Sequence, residues 1–218
     1  MSARRGYEEG CAVAHALDLV GDRWALLVVR ELLYGPRRFS DLGRSLPGAS
    51  TSMLTQRLKD LCEAGVARRY QLPAPAASWV YELTDWGAEL KTVVIGLGTW
   101  ATGSPSFDPA QPVTACSMAL GIESFFDLSA AGDARGTLDL ELDNQVFRVD
   151  LADSGLSVSG GVLPGPADAK IVARPGDLKP FLWDKKRVTK SNLTRHNVRI
   201  AANDRRAVEL LAGICGTA

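Results

Sequence analysis

Leu46-Pro-Gly-Ala-Ser-Thr-Ser-Met-Leu-Thr-Gln-Arg-Leu-Lys-Asp-Leu-Cys-Glu-Ala-Gly65 is the stretch that decides the fold of the N-terminal half. Leu54, Leu58 and Leu61 recur at i, i+4 and i+7, the spacing of an amphipathic helix with one apolar stripe. Ser50 is a typical N-cap residue, and Gly65 suits the left-handed residue that ends a helix. The stretch therefore predicts a helix through Ala64 whose leucines face inward and whose hydroxyl, amide and ammonium groups face outward.

The sequence around this helix predicts a helix-turn-helix followed by a hairpin. Gly35-Pro36 ends one of the preceding helices, Ser40 is the expected N-cap of the next, and Thr84 caps the last. The predicted elements are helices over 11–20 and 24–33, a short helix that follows its N-cap Ser40 and ends at Pro47-Gly48, strands over 66–72 and 79–83, and a helix from 85 to about 100. This is the order of a winged helix, in which the second helix of the pair enters the major groove of DNA.

The side chains outside the leucine stripe are short donors and acceptors suited to bases and phosphates. Between residues 37 and 69 there are seven basic residues against three acids, and Arg68 and Arg69 open the hairpin. On pattern alone, a protein-interaction domain stays open as an alternative. The candidate DNA-binding residues are Arg38, Ser50, Thr51, Ser52, Thr55, Gln56, Lys59, Arg68 and Arg69.

A Pro-rich stretch over 100–112 separates this part from a second pattern. We expect a first domain over 1–102, a linker over 103–114 and a second domain over 115–218. In the second domain, Leu138, Leu140 and Leu142 alternate with acidic residues, as in a strand with one buried face. The fold class predicted is α+β, a winged helix followed by a domain with helices and a mainly antiparallel five-stranded sheet. Its strands are expected at 136–142, 146–151, 156–158, 170–174 and 198–201.

The first domain resembles HxlR-type winged-helix transcriptional regulators over about residues 8–101. The similarity is carried by Gly21-Asp-Arg-Trp24, Gly35-Pro-Arg-Arg-Phe-Ser-Asp-Leu42, Leu54-Thr-Gln-Arg-Leu-Lys-Asp-Leu61 and Tyr81-Glu-Leu-Thr84. The resemblance implies a homodimer, formed by the first and last helices, that binds a pseudopalindromic operator in double-stranded DNA. One departure is the wing tip, where Ala77-Ser-Trp79 replaces a basic residue that the family often has.

The second domain resembles sterol carrier protein-like domains over about residues 117–215. The similarity is carried by Ala167-Asp-Ala-Lys-Ile-Val-Ala173, Gly176-Asp-Leu-Lys-Pro-Phe-Leu182 and Val198-Arg-Ile-Ala-Ala-Asn-Asp204. The resemblance implies an apolar tunnel and a hydrophobic small-molecule effector, such as a fatty acyl or sterol-like compound. Core packing stays open as the alternative for each candidate. The candidate ligand-binding residues are Phe125, Phe126, Phe147, Phe181, Leu182 and Trp183.

Two further features allow more than one interpretation. Some HxlR-type regulators sense oxidants with a cysteine near the position of Cys11, and a helix N-terminus can lower a thiol pKa. Cys11 could equally be a small residue packed at the dimer seam. The run over 185–206 holds eight cations and one acid. It suits a solvated face, an additional DNA-backbone contact, or a clamp for an anionic head group or for the acidic 123–184 surface.

Other classes of protein are disfavoured. The four cysteines form no CxxC pair, no motif of the GxSxG, GxxxxGK or HExxH type occurs, and no apolar run reaches the ~18–20 residues of a membrane span. We expect no enzyme, metal, cofactor, membrane partner or secretory signal. The sequence thus predicts a cytoplasmic, homodimeric repressor with a hydrophobic effector. The alternatives are a redox switch at Cys11 with an inert second domain, and a lipid carrier whose winged helix binds protein.

Overall fold

A computed structural model describes residues 6–161 and 163–217 of the chain. The chain divides into two compact units between Trp100 and Ala101. Among the described residues, no helix is both long enough and apolar enough to cross a bilayer. The first unit contains α1 Ala12–Val20, α2 Ala25–Leu32, α3 Phe39–Ser45, α4 Thr51–Glu63, β1 Ala67–Gln71, β2 Trp79–Leu83, α5 Asp85–Ala88 and α6 Leu90–Ala101.

The first unit is a winged helix, as the sequence predicts. The three leucines of α4 are each 1% exposed and share one core with α2 and α3. Strands β1 and β2 form an antiparallel hairpin in which Arg69 is opposite Tyr81. Arg37 exchanges two 2.8 Å backbone hydrogen bonds with Tyr81, so the chain just before α3 adds a bridge to the hairpin edge. The wing and the helix-turn-helix are therefore joined through backbone as well as through the core.

The end of α4 and the start of α5 are fixed by one group of contacts. Gly65 has a φ of +72°, which an L side chain rarely adopts, and it ends α4 as predicted. The Thr84 hydroxyl donates to the Gly65 carbonyl at 2.7 Å and accepts from the Gly87 amide at 3.0 Å. A Cβ at Gly87 would lie 1.9 Å from the Val66 carbonyl oxygen, so only glycine lets α5 approach β1 this closely.

Two sequence predictions are corrected in this unit. Ser40 is not the N-cap of α3: the helix begins at Phe39, and Arg38 is its N-cap residue without a side-chain cap. The N-cap thus lies two residues before the predicted one, directly after Arg37, whose backbone forms the bridge to Tyr81. The last helix is also not continuous. The Glu89 backbone N–H donates to the Trp86 carbonyl in a tighter turn that separates α5 from α6.

The second unit combines helices with a five-stranded sheet. The elements are α7 Ala115–Phe125, β3 Gly136–Leu142, β4 Gln145–Ala152, β5 Gly155–Gly160, β6 Ala169–Ala173, α8 Pro175–Leu182, α9 Lys190–Arg195, β7 Arg199–Ala202 and α10 Asp204–Cys215. In the sheet, β6 and its neighbour β3 are parallel, whereas the other three neighbouring pairs are antiparallel. The expectation of a mainly antiparallel sheet is thus refined to a mixed one, because the chain crosses from edge strand β5 to the far side of β3.

The core of the second unit lies against the leucine face of β3. Leu138, Leu140 and Leu142 are at most 1% exposed, which confirms their predicted alternation. Helix α10 buries seven residues in this core. Helix α9 was not predicted: Thr189 caps it by accepting from the Asn192 amide, and Leu193 anchors it in the core.

Candidate nucleic-acid interface

The N-terminal end of α4 presents a surface of short polar side chains. The Ser50 hydroxyl accepts from the Met53 amide at 3.3 Å and lies 3.1 Å from the Ser52 hydroxyl. The Thr55 hydroxyl donates to the Thr51 carbonyl at 2.8 Å, which aims its oxygen lone pairs outward. All of these side chains except that of Met53 were predicted DNA contacts, and all are exposed. A capped helix N-terminus with such donors and acceptors fits phosphates and base edges.

The next turn of α4 carries Gln56 and Lys59, the longer predicted contacts. The Gln56 amide donates to an Asp60 carboxylate oxygen at 2.7 Å, and the Lys59 ammonium lies 3.6 Å from a Glu63 carboxylate oxygen. Exposed pairs of this kind contribute about 0–1 kcal/mol, so they hold the side chains only loosely. Both side chains can therefore exchange these partners for DNA.

Arg57 lies on the same helix but has a different task. Its side chain is only 18% exposed and pairs with Asp60 at 3.1 Å and with Asp22 in the turn between α1 and α2. Arg57 thus ties α4 to the preceding helices and positions the outward face. The sequence did not indicate this role, because Arg57 and Asp22 are 35 residues apart and nothing in their local pattern links them.

Trp24 and Gly48 fix the start of α4. Trp24 adopts a left-handed conformation with φ +79° at the start of α2. A Cβ at Gly48 would lie 2.8 Å from the Trp24 ring carbon Cη2. The indole therefore lies directly against the turn that leads from α3 into α4, and this packing sets the direction in which α4 leaves the turn.

The hairpin places its two arginines on the outside. Arg68 is exposed and pairs with Glu82 at 2.7 Å, while the Arg69 guanidinium stacks 4.4 Å from the Trp79 ring centroid. Trp79 is the wing-tip residue that departs from the family pattern, and the stacked Arg69 supplies positive charge beside it. Arg38, the remaining predicted contact, is exposed at the start of α3. The sequence-predicted DNA residues thus lie on α4, on β1 and at the first residue of the helix-turn-helix.

Helices α1 and α6 carry apolar side chains that the described residues leave exposed. Val13 is 67% exposed and Val93 49%. Leu17 and Leu97 are each nearly half exposed. Such side chains at helical spacing on two helices form an apolar surface of the kind that marks a protein interface.

The four thiols differ in exposure and acidity. Cys11 is exposed at the N-cap position of α1, where the backbone N–H groups of Ala14 and Val13 lower its pKa. Burial raises the pKa of the half-buried Cys62 thiol, and it raises that of Cys215 to about 12. Cys116 is buried. Cys11 is therefore the thiol best placed to react.

The six candidate ligand-binding residues of the second unit do not lie together. Phe147 and Phe181 are 2% and 0% exposed in the core, and Phe126 is half-buried. Phe125, Leu182 and Trp183 line one shallow cleft, together with Ile122 and Lys185 among others. Its volume is about 10 Å³, room for about one water molecule, whereas ligand pockets usually hold ~300–1,000 Å³. In this conformation the cleft is filled by its own side chains.

Comparisons with known proteins place the first unit among regulators. Residues 19–106 match the model of the family described as HxlR-like helix-turn-helix. The HTH-type transcriptional regulator YvaP of Bacillus subtilis is 38% identical over 94 residues, which are 42% of this chain and 87% of YvaP. Rv3095 of Mycobacterium tuberculosis, also named an HTH-type transcriptional regulator, is 39% identical over 92 residues, which are 42% of this chain and 58% of Rv3095. The solved structure of the reduced form of the regulator YodB from B. subtilis is 31% identical and covers 46% of this chain and 100% of that chain, with a TM-score of 0.41.

Proposed function

Because this chain belongs to the HxlR-like helix-turn-helix family, whose matched relatives are DNA-binding transcriptional regulators and not enzymes, we propose that it is a homodimeric repressor that inserts α4 into the major groove of its operator. The observation that carries the proposal is the division of α4 into a buried leucine stripe and an exposed polar face. A helix held in this way can offer most of its surface to DNA. Repression is proposed because a dimer that covers a promoter can block polymerase without further contacts.

The proposed complex uses different parts of the winged helix for different contacts. The N-terminal half of α4 contacts base edges, with Gln56 and Lys59 releasing their carboxylate partners, and Arg68 and Arg69 approach the phosphates beside the groove. The exposed apolar side chains of α1 and α6 pair with those of a second copy. A two-fold dimer would then place its two α4 helices about one helical turn, ~34 Å, apart on a pseudopalindromic site.

Replacing Gln56 and Lys59 by alanine tests the DNA contact. Fluorescence anisotropy would compare the wild type with Gln56→Ala/Lys59→Ala on the upstream intergenic duplex and on a scrambled duplex. Since a good base contact contributes ~1–3 kcal/mol, we expect the double variant to lose about 10–100-fold or more in operator affinity. A matched control is Gln111→Ala/Lys170→Ala in the second unit, whose side chains are also held by acids. Unchanged operator binding by the first variant would overturn the proposal.

The dimer is tested by placing charge on α6. Val93→Asp/Leu97→Asp should give monomers in sedimentation velocity and weaken operator binding, because both aspartates would have to be buried at the seam. Phe107→Asp changes a similarly exposed apolar residue outside these two helices and should leave the dimer intact. If the α6 variant still forms dimers, the dimer interface does not include Val93 and Leu97.

The effector proposal concerns the cleft at Phe125, Leu182 and Trp183. It is supported by the apolar lining and by Lys185 at its edge, which suits an anionic head group. Trp183 would have to leave Gly121, where an ideal Cβ would lie 3.3 Å from the indole Cζ2. Palmitate should then raise the Tm and change operator affinity by about 5–150-fold, and Leu182→Glu should abolish both effects. An unchanged Tm would contradict the effector proposal and would not affect the proposal of DNA binding.

A thiol switch at Cys11 is the second candidate for the regulatory input. It is favoured by the exposure of Cys11, by its lowered pKa and by its position at the start of α1, whose apolar face belongs to the proposed dimer. Hydrogen peroxide, which oxidises a thiolate to a sulfenic acid and is itself reduced to hydroxide, should weaken operator binding by the wild type but not by Cys11→Ser. Equal responses of both proteins would rule out this switch.

A further inference from the structure

Among its described residues, the structure divides the basic run over 185–206 into cations that a carboxylate or a backbone carbonyl holds and cations that neither holds. Lys190 pairs with Asp204, Arg206 lies 2.7 Å from Glu209, and the Lys185 ammonium donates to the Cys215 carbonyl at 2.9 Å. Five other cations are exposed, and none forms an ion pair with a carboxylate in the part of the chain that the structure describes. We call them the basic face: Lys186, Arg187, Arg195, Arg199 and Arg205.

Contacts within the segment hold together the elements that carry these residues. The Lys186 ammonium donates to the His196 ring at 2.8 Å, and the Asn192 amide donates to the Arg187 carbonyl at 2.9 Å. Both contacts hold the loop before α9 against that helix. The Lys190–Asp204 pair then joins the start of α9 to the start of α10, where Arg205 lies. Arg199 is exposed on β7, the edge strand that connects the two helices.

The chemistry of the basic face favours a polyphosphate. Four of the five cations are arginines, whose charge is permanent and whose planar guanidinium groups match phosphate oxygens. The preceding 123–184 segment has eleven acids against five bases, so positive charge in this unit is concentrated in one place. No exposed large apolar side chain occurs between residues 185 and 206, whereas helices that bind membrane surfaces combine basic residues with such side chains. A duplex backbone satisfies these requirements.

We propose that the basic face binds the phosphate backbone of DNA that flanks the operator. The proposal rests on the DNA binding proposed above, and it assigns the second unit a share of that binding. Each neutralised phosphate releases condensed counterions, so each contact steepens the fall of log affinity with log salt concentration by about 0.9. The contribution is independent of sequence, because phosphates carry no base information. Together, α4 would choose the site and the basic face would strengthen binding to it.

The test separates the length of the duplex from its sequence. Affinity is measured by anisotropy at several salt concentrations on the operator alone and on the operator extended by unrelated sequence on both sides. The variant is Arg187→Gln/Arg195→Gln/Arg199→Gln. The control, Lys170→Gln/Arg174→Gln/Lys179→Gln, removes the same charge from partnered cations of the same unit. Circular dichroism checks that both variants are folded.

We expect the wild type and the control to bind the extended duplex more tightly than the short one. The basic-face variant should lose this advantage and reduce the salt slope by about 3, while it still prefers operator over scrambled DNA. A variant that keeps the advantage and the slope overturns the proposal. Failure of the proposed function looks different, because the wild type itself would then show no preference for operator sequence.

Two other partners of the basic face would give results that contradict the proposal. If the variant loses binding to vesicles of phosphatidylcholine and phosphatidylserine while its affinity for the extended duplex is unchanged, the basic face serves a membrane and the proposal is wrong. If it instead changes the sedimentation of the DNA-free protein and leaves DNA affinity intact, the face serves contact between copies of the chain. Either result overturns the DNA assignment.

Discussion

The longest described helix of the first unit and that of the second are anchored very differently. Helix α4, with 13 residues, buries three leucines and exposes most of its remaining surface. Helix α10, with 12 residues, buries seven. The Lys59–Glu63 ion pair on the outer face of α4 is exposed, whereas Arg148 of the second unit is 6% exposed beside Asp139. A narrow buried stripe leaves most of a helix free for contact with another macromolecule, whereas a helix that completes a core buries more than half of its residues.

The largest expected effect concerns apolar side chains on the two helices. Leu211→Ala on α10 empties a site that is 0% exposed and should lower the free energy of unfolding of the second unit by about 2–5 kcal/mol. Met53→Ala on α4 removes a side chain that is 39% exposed and should change the stability of the first unit little. Peptide-resolved hydrogen exchange would measure both units. Similar losses for the two variants would break the contrast between the helices.

The next comparison sets a buried ion pair against an exposed one. Arg148 bonds both carboxylate oxygens of Asp139 and the carbonyl oxygens of Pro164 and Gly165. Asp139→Ala leaves this guanidinium buried without its anion and should destabilise the second unit by about 1–3 kcal/mol. Glu82→Ala removes the partner of exposed Arg68 and should change the stability of the first unit much less, because solvent screens this pair. Urea denaturation followed by hydrogen exchange measures the stability of each unit separately. If Asp139→Ala is as stable as the wild type, Arg148 reaches solvent in the variant.

Helical glycines provide a smaller contrast. Alanine normally favours a helix over glycine by about 1 kcal/mol. A Cβ at Gly213 of α10 would lie 2.6 Å from the Ala134 Cβ, so Gly213→Ala should instead destabilise by about 1–2 kcal/mol through overpacking. At Gly43 of α3 the nearest atom would be 4.0 Å away, and Gly43→Ala should be neutral or stabilising. In thermal unfolding, Gly213→Ala should lower the Tm, whereas Gly43→Ala should raise it or leave it unchanged. A Tm that also rises in Gly213→Ala would mean that α10 shifts to make room for the methyl group.

The last comparison concerns the reactivity of a thiol in each unit. The pKa of Cys11 is lowered from 9.0, so its thiolate forms at a lower pH in the folded protein than in the unfolded chain. The pKa of Cys215 is raised to about 12, and the thiol is buried. Alkylation by iodoacetamide, followed by mass spectrometry across pH, should therefore label Cys11 first, with a midpoint below pH 9. If Cys215 is labelled before Cys11, the exposure and pKa described for these two thiols are wrong.

The difference between the helices also explains what could be predicted from the sequence. The stripe of α4 is local: leucine spacing, the Ser50 cap and Gly65 all lie within 16 residues, and they predicted both the helix and its outward face. Contacts between distant residues left no such pattern. The Arg57–Asp22 pair depends on the packing of α4 beside the α1–α2 turn, and the earlier start of α3 depends on the backbone bridge from Arg37 to Tyr81. The mixed sheet order likewise depends on a crossover that strand alternation does not determine.

The parallel pairing of β3 with β6 has a consequence for the order of events on the ribosome. Residues 138–142 pair with residues 169–173, and α10 covers the sheet only once residue 215 has been added. Every helix and strand of the first unit precedes residue 102. At ~5–20 residues per second, translation needs roughly 6–23 s to make the intervening 113 residues, far longer than the micro- to milliseconds in which small helical domains fold. The winged-helix unit can thus fold before the sheet of the second unit and its covering helix α10 are complete.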